Sequence, residues 1–258
     1  MAQLHFVEYG PRKAEQPQGT LMFIGSIGST TDMWLPQLDA LSDSFRVIAV
    51  DHRGHGLSPV VESPASIADL ASDVQETIGK LGVNAYGVVG LSLGGAVAQY
   101  LAANDPKVTS AALLCTAPKF GTPDSWHERA RTVRADSTAA LADAIVARWF
   151  SEGWIAENPA STAFYREMIA TTPAGGYASC SEALADWDFA DQLSSITVPT
   201  LVLAGADDPA TPPEVLKEIG DKVSGESTYV EISPGAHVPT IEAPKEVTDA
   251  LRAHFSKY

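Results

Sequence analysis

The chain has 258 residues, 45% hydrophobic and 19% charged, with a formal net charge of −15. That length and composition suit one large globular α/β domain with room for an added subdomain, and they exclude a disordered chain. The acidic field argues against nucleic acid or an anionic membrane as partner, because it repels phosphate, and it makes any anionic substrate dependent on local cations.

Met1 to Phe6 enters a strand pattern directly, without a basic n-region, so no signal peptide is expected. No apolar run reaches transmembrane length. Cys115 and Cys180 have neither disulfide nor metal spacing, and the expectation is two reduced, buried thiols in a cytoplasmic protein. A homo-oligomer is compatible with the sequence.

Leu4–Tyr9 reads as a first strand, Pro11–Gly19 as a turn, and Thr20–Ile24 as a buried strand ending in the small-residue loop Gly25-Ser26-Ile27-Gly28-Ser29. A helix is predicted over 31–42, with Met33, Trp34, Leu38 and Leu41 on its apolar face, and a strand over 45–50. That strand stops at Asp51-His52-Arg53-Gly54-His55-Gly56-Leu57-Ser58. Asp51, His52 and His55 invite a metal reading, but a glycine-rich turn explains the stretch and no metal is expected. Ile67–Leu81 carries apolar residues at helical intervals and ends at Gly82, a C-cap candidate. Strands alternating with helices at this spacing predict a mostly parallel sheet.

Val88-Val89-Gly90-Leu91-Ser92-Leu93-Gly94-Gly95 organises the rest. An apolar strand runs into G-x-S-x-G and then into a helical pattern from Ala96, which is the order a nucleophile elbow requires. Such a turn exposes the Ser92 hydroxyl and aims the Leu93 amide at the space beside it, half of an oxyanion hole. The second amide should come from the loop after the second strand, and Ile27, set among Gly25, Ser26 and Gly28, is the candidate.

A strand follows at Val108–Cys115, and then strand signals vanish from Pro118 to about Leu193 while helical runs such as Ala139–Phe150 and Ser161–Thr171 take over. The organisation read here is an α/β core of residues 1–117 and 194–258, interrupted by a helical cap subdomain of residues 118–193. Buried strands resume at Val198–Ala204, followed by a helix from Pro213, a strand at Ser227–Ile232 and a closing helix from Lys245.

A serine nucleophile needs a base, and the base needs an acid to orient it. Asp207 and Asp208 follow one resumed strand and His237 follows the next, giving the chain order serine, acid, histidine at the carboxyl ends of strands. In the insert, Trp126, Trp149, Phe150, Trp154 and Trp187 read mostly as its own core, while Arg129, Arg131 and Arg134 are cations that could offset the overall repulsion of an anion. Trp126, Arg129, Arg134 and Trp149 are the substrate-binding candidates.

These motifs, with the D-x-R-G-x-G-x-S turn at 51–58, resemble those of α/β-hydrolases over essentially the whole chain. Within that superfamily the chain is most similar to the 3-oxoadipate enol-lactonases, through Asp32-Met33-Trp34 with Pro36-Gln37-Leu38, Trp126-His127-Glu128-Arg129, Gly176-Tyr177-Ala178-Ser179-Cys180 with Glu182-Ala183-Leu184, and Gly205–Pro213. It departs from their pattern at Gly25-Ser26, Ser181 and Trp187. The resemblance favours Asp208, four residues before Pro212, as the acid over Asp207. It implies a Ser92, Asp208, His237 triad, no cofactor, and hydrolysis of a small lactone or ester, 3-oxoadipate enol-lactone in aromatic-compound catabolism. The alternatives are a general carboxylesterase or perhydrolase, and a slow-turnover ligand-binding receptor of the same fold.

Overall fold

The computed structural model describes residues 2–13, 15–61 and 63–258. Met1, which opens the segment read for a signal peptide, and Ala14, within the expected 11–19 turn, lie outside the described residues.

β1 (Phe6–Tyr9), β2 (Thr20–Ile24), β3 (Arg46–Val50), β4 (Tyr86–Leu91), β5 (Val108–Leu114), β6 (Thr200–Gly205) and β7 (Ser227–Ile232) form one sheet in the order β1-β3-β2-β4-β5-β6-β7. β1 runs antiparallel to β3 and every other pairing is parallel. The five strands between the edges are almost wholly buried because helices cover both faces of the sheet, whereas β1 and β7 at its edges are half exposed. The register sets Ile24 beside Gly90 and Gly205 beside Ile232, so the loops leaving β2 and β4, and those leaving β6 and β7, emerge level with each other at one end of the sheet.

The helix predicted over 31–42 is two pieces, a 3₁₀ turn at Thr31–Trp34 and α1 (Leu35–Leu41). Pro36, in the first turn of α1, has no N–H with which to continue the ladder, so the chain starts a new helix there. The apolar face is as read: Met33, Trp34, Leu38 and Leu41 are buried, and Trp34 packs edge-on against Phe23. α2 (Ile67–Lys80) starts at a capping box, in which Ser66 Oγ accepts from the Asp69 amide and the Asp69 carboxylate accepts from the Ser66 amide. It ends at Gly82, which takes the left-handed φ of +67°. α3 (Leu93–Asn104) follows β4 and packs against β4 and β5.

Between β5 and β6 lie α4 (Pro123–Asp136), α5 (Ala139–Trp149), α6 (Glu152–Glu157), α7 (Pro159–Ala170) and α8 (Ala174–Ala185). α4 packs on α8 and α5 on α7. α8 forms although two glycines, Gly175 and Gly176, weaken its local propensity; almost its whole length is buried, and packing prevails over propensity. Within the same segment Phe150 stacks on Trp154 and Trp187 on Phe189. α9 (Pro213–Lys222), the short α10 (Pro239–Glu242) and α11 (Pro244–Phe255) complete the chain. No helix among the described residues is long and apolar enough to cross a membrane. Cys115 and Cys180 are free and buried, and burial pushes the Cys180 thiol up to about 12.

Candidate active site

Ser92 sits between β4 and α3 with φ 59° and ψ −116°, a conformation that costs a non-glycine residue about 1–3 kcal/mol and persists only where the surroundings impose it. The surroundings here are backbone. A Cβ on Gly90 would run into the carbonyl of Gly94, and one on Gly94 into the carbonyl of Ile24. The Ser92 amide donates to Leu114 O at 3.1 Å, and Thr116 Oγ1 donates to Ser92 O at 2.8 Å.

The loop after β2 is held from behind. The Gly25 carbonyl accepts from the Gly94 amide (3.0 Å) and from His52 Nε2 (2.9 Å), and the Gly28 amide donates to His55 Nε2 (3.0 Å). Accepting at Nε2 leaves the His55 proton on Nδ1, which meets the Arg53 carbonyl at 3.1 Å. Burial, and then the neighbouring His52, hold His55 down to about 3, so this ring is neutral. Burial likewise lowers His52. Asp51 is equally committed, to His5 Nδ1 and to the amides of Thr31 and Leu57. The histidine-rich turn therefore works as a clamp on the β2 loop, a role that residue spacing did not reveal. Among the described residues, nothing accepts from the Ile27 or Leu93 amides.

Asp208 and His237 come together after β6 and β7. His237 Nδ1 lies 2.8 Å from Asp208 Oδ2, and both side chains are buried. Asp208 Oδ2 also accepts from Thr211 Oγ1 (2.6 Å), while Oδ1 accepts from the amides of Ala210 (2.8 Å) and Thr211 (3.1 Å). Burial opposes ionisation of this carboxyl, but His237 and the Thr211 and Ala210 donors outweigh it and hold Asp208 below the usual carboxylate range. With Nδ1–H given to Asp208, the ring's Nε2 is the free acceptor. Asp207 is exposed, and among the described residues only its amide is engaged, with Gly235 O at 2.9 Å.

Ser92 and His237 share a cavity of about 380 Å³ with Ser26, Ile27 and Ala210 from the sheet side and Phe120, Gly121, Ser125, Trp126, Arg129, Ile145, Arg148, Trp149 and Tyr177 from the helical segment. Three of the four substrate-binding candidates, Trp126, Arg129 and Trp149, line it. Arg134 does not: it forms a two-pronged ion pair with Glu182 across α4 and α8. Arg131 is taken up by Glu128 on the surface. Arg129 lies over the Trp126 ring, 4.9 Å from its centre, and beside the buried Tyr177 hydroxyl. Neither Arg129 nor Arg148 forms an ion pair among the described residues. The buried Ser26 hydroxyl, on the sheet-side wall, has no hydrogen-bond partner among them either.

Sequence reasoning missed Arg148, Tyr177 and Ser26 as wall residues. Arg148 stands three residues after Ile145 and next to Trp149, one face of α5, so the helical period around Trp149 was the available signal. Tyr177 and Ser26 stood out only as parts of longer motifs, and nothing local pointed to either as a wall residue.

A family model described as the alpha/beta hydrolase fold matches residues 19–244. 3-Oxoadipate enol-lactonase 2 of Acinetobacter baylyi is 31% identical over 256 residues, covering 99% of this chain and 94% of its own. A crystal structure of the enol-lactonase from Burkholderia xenovorans superposes with a TM-score of 0.94 at 33% identity, covering 100% of this chain and 97% of that one. A thermophilic esterase from Thermogutta terrifontis, solved with malate bound, gives a TM-score of 0.93 at 27% identity over 99% and 94% of the two chains.

Proposed function

The chain belongs to the α/β-hydrolase family, and from that premise we propose that it is a serine hydrolase that opens a carboxylate-bearing lactone, 3-oxoadipate enol-lactone, to 3-oxoadipate through an acyl-enzyme. The observation that carries the substrate class is the pair Arg129 and Arg148. In a chain of net charge −15, two guanidinium groups without carboxylate partners among the described residues stand on the wall of the cavity that holds Ser92 and His237. A carboxylate on the substrate supplies the missing counter-charge. The relatives of Acinetobacter baylyi and Burkholderia xenovorans, enol-lactonases by name, support the same reading.

In this reading the helices between β5 and β6 form the cap over the core. His237 Nε2 takes the proton of Ser92 Oγ as the oxygen attacks the lactone carbonyl, and the Leu93 and Ile27 amides receive the charge that develops on the carbonyl oxygen. Collapse breaks the bond to the ring oxygen, to which His237 returns the proton. The opened chain remains esterified to Ser92 with its enol free. Water, deprotonated by His237, then attacks the ester, and as the bond to Ser92 Oγ breaks His237 passes the proton to that oxygen, which releases the acid and restores the serine. Ketonisation of the enol draws the ring-opening forward.

The test is steady-state hydrolysis of enzymatically generated enol-lactone beside p-nitrophenyl acetate, for wild type and Ser92→Ala. A kcat/KM far higher for the lactone, with kcat lower by about 10⁴-fold or more in the variant, is expected. An inert lactone with good ester turnover would reject the substrate and keep the nucleophile. That outcome would favour a second reading, a general carboxylesterase that uses the same Ser92 and His237, which the exposed position of Arg148 at the cavity wall supports by leaving room for varied esters.

A further inference from the structure

His237 is gripped on both sides by the same stretch of the cap. The amide of Val238 donates to the Trp149 carbonyl at 3.0 Å. The amide of Ala236, on the other side, donates to Glu242 Oε2 at 2.5 Å, and the second oxygen of that carboxylate accepts from the Ser151 amide at 2.8 Å. Residues 149–151 thus hold the histidine loop directly at Val238 and through Glu242 at Ala236. Glu242, at the end of α10, is half-buried and forms no ion pair among the described residues; its charge is given to two main-chain donors from segments far apart in the chain. Hydrogen bonds of this charged kind are shorter and stronger than neutral ones. Trp149, which opens this stretch, and Arg148 just before it put their side chains on the cavity wall.

We propose that Glu242 is a positioning residue that locks the cap to the His237 loop, so that a ligand seated against Arg148 and Trp149 and the base that acts on it are placed by one joint. This rests on His237 being the base of the reaction proposed above. A base must stand within hydrogen-bond reach of the proton it removes, and a displacement of about 1 Å can cost about 100-fold in rate.

Ser151 offers a way to cut the joint on the cap side alone. It is the N-cap of α6 with φ −66°, a value that proline adopts, and Phe150 before it is extended, as a residue preceding proline must be. Ser151→Pro removes the amide that Glu242 holds. Ser151→Ala keeps the amide and removes only the hydroxyl that caps Trp154. With p-nitrophenyl acetate and the enol-lactone as substrates, Glu242→Gln and Ser151→Pro should each lower kcat about tenfold or more while KM changes less than about twofold, and Ser151→Ala should leave kcat within about twofold of wild type. The joint acts through the base, so Glu242→Gln placed in a His237→Ala background should produce no further loss. A merely structural role would still depress the residual rate.

Equal kcat in Ser151→Pro and Ser151→Ala, or a further loss in the double variant, overturns the joint. If His237→Ala itself keeps wild-type turnover, the catalytic reading fails and the joint with it. If His237→Ala is inactive while the Glu242 and Ser151 variants are not impaired, the joint alone is wrong.

Discussion

The two walls of the cavity are built in opposite ways. On the sheet side the groups that hold His237 and brace the β2 loop are paired within the protein: Asp208 takes four donors, Gly25 O takes two, and His55 uses both ring nitrogens. On the cap side Arg129 and Arg148 are left without counter-ions among the described residues. In the proposed reading, groups that must act in a fixed geometry are held by the protein itself, while groups that recognise a ligand find their partners in it.

The largest expected effect comes from the saturated wall. Asp208→Asn frees His237 to take the wrong tautomer and should lower kcat by about 10⁴-fold with KM nearly unchanged, measured on either substrate. A loss under tenfold would mean that the carboxylate does not orient the base. The cap wall should respond in KM instead. Arg129→Met should raise KM for the enol-lactone by about 10- to 100-fold and leave the neutral p-nitrophenyl ester unaffected, because a charge-assisted pair is removed only for the anion. Arg148→Met, at a more exposed position, should show the same pattern more weakly. A parallel loss on both substrates would show that the arginines shape the cavity rather than read charge.

The clamp can be tested through pH. His55 is held at about 3 in the fold against an ordinary 6.5, so between those values the unfolded chain binds a proton that the folded chain refuses. Stability must therefore fall as pH drops from 6.5 toward 3, by up to about 1.4 kcal/mol per pH unit from this ring. His55→Gln offers a carbonyl acceptor that does not titrate, and urea unfolding across that window should show a slope lower by about one proton. An unchanged slope would contradict a neutral, buried His55. The smallest effect is expected at Arg134→Met, which should leave KM for the lactone within about twofold, since Glu182 already holds that guanidinium.

The sheet side was legible because its devices are local. An elbow needs an apolar strand, glycines where backbones touch, and a helix start, all within ten residues, and each leaves a mark in the sequence. The same holds for the apolar period of α2 and the glycine after its end. The pairing of Asp208 with His237 was legible as order and strand-end position, but the choice between Asp207 and Asp208 is a matter of one residue's direction, which puts one in solvent and the other against the ring. The segment between β5 and β6 was legible as helical runs without strands, but not in which of its side chains reach the cavity. Arg129, Arg131 and Arg134 look alike in sequence, and what separates them is whether Glu128 and Glu182 fall within reach.

By itself, then, the sequence determined the alternation that builds a parallel sheet, the strained turn at Ser92 and the strand ends from which the other candidate groups hang, because these depend on neighbours within one or two elements. Only the tertiary structure decided which arginines face the cavity, that His52 and His55 brace the β2 loop, and that Glu242 ties Ser151 to Ala236. The last two depend on contacts that include ones 27 to 91 residues apart, and no local pattern encodes which distant donor will arrive at a given acceptor.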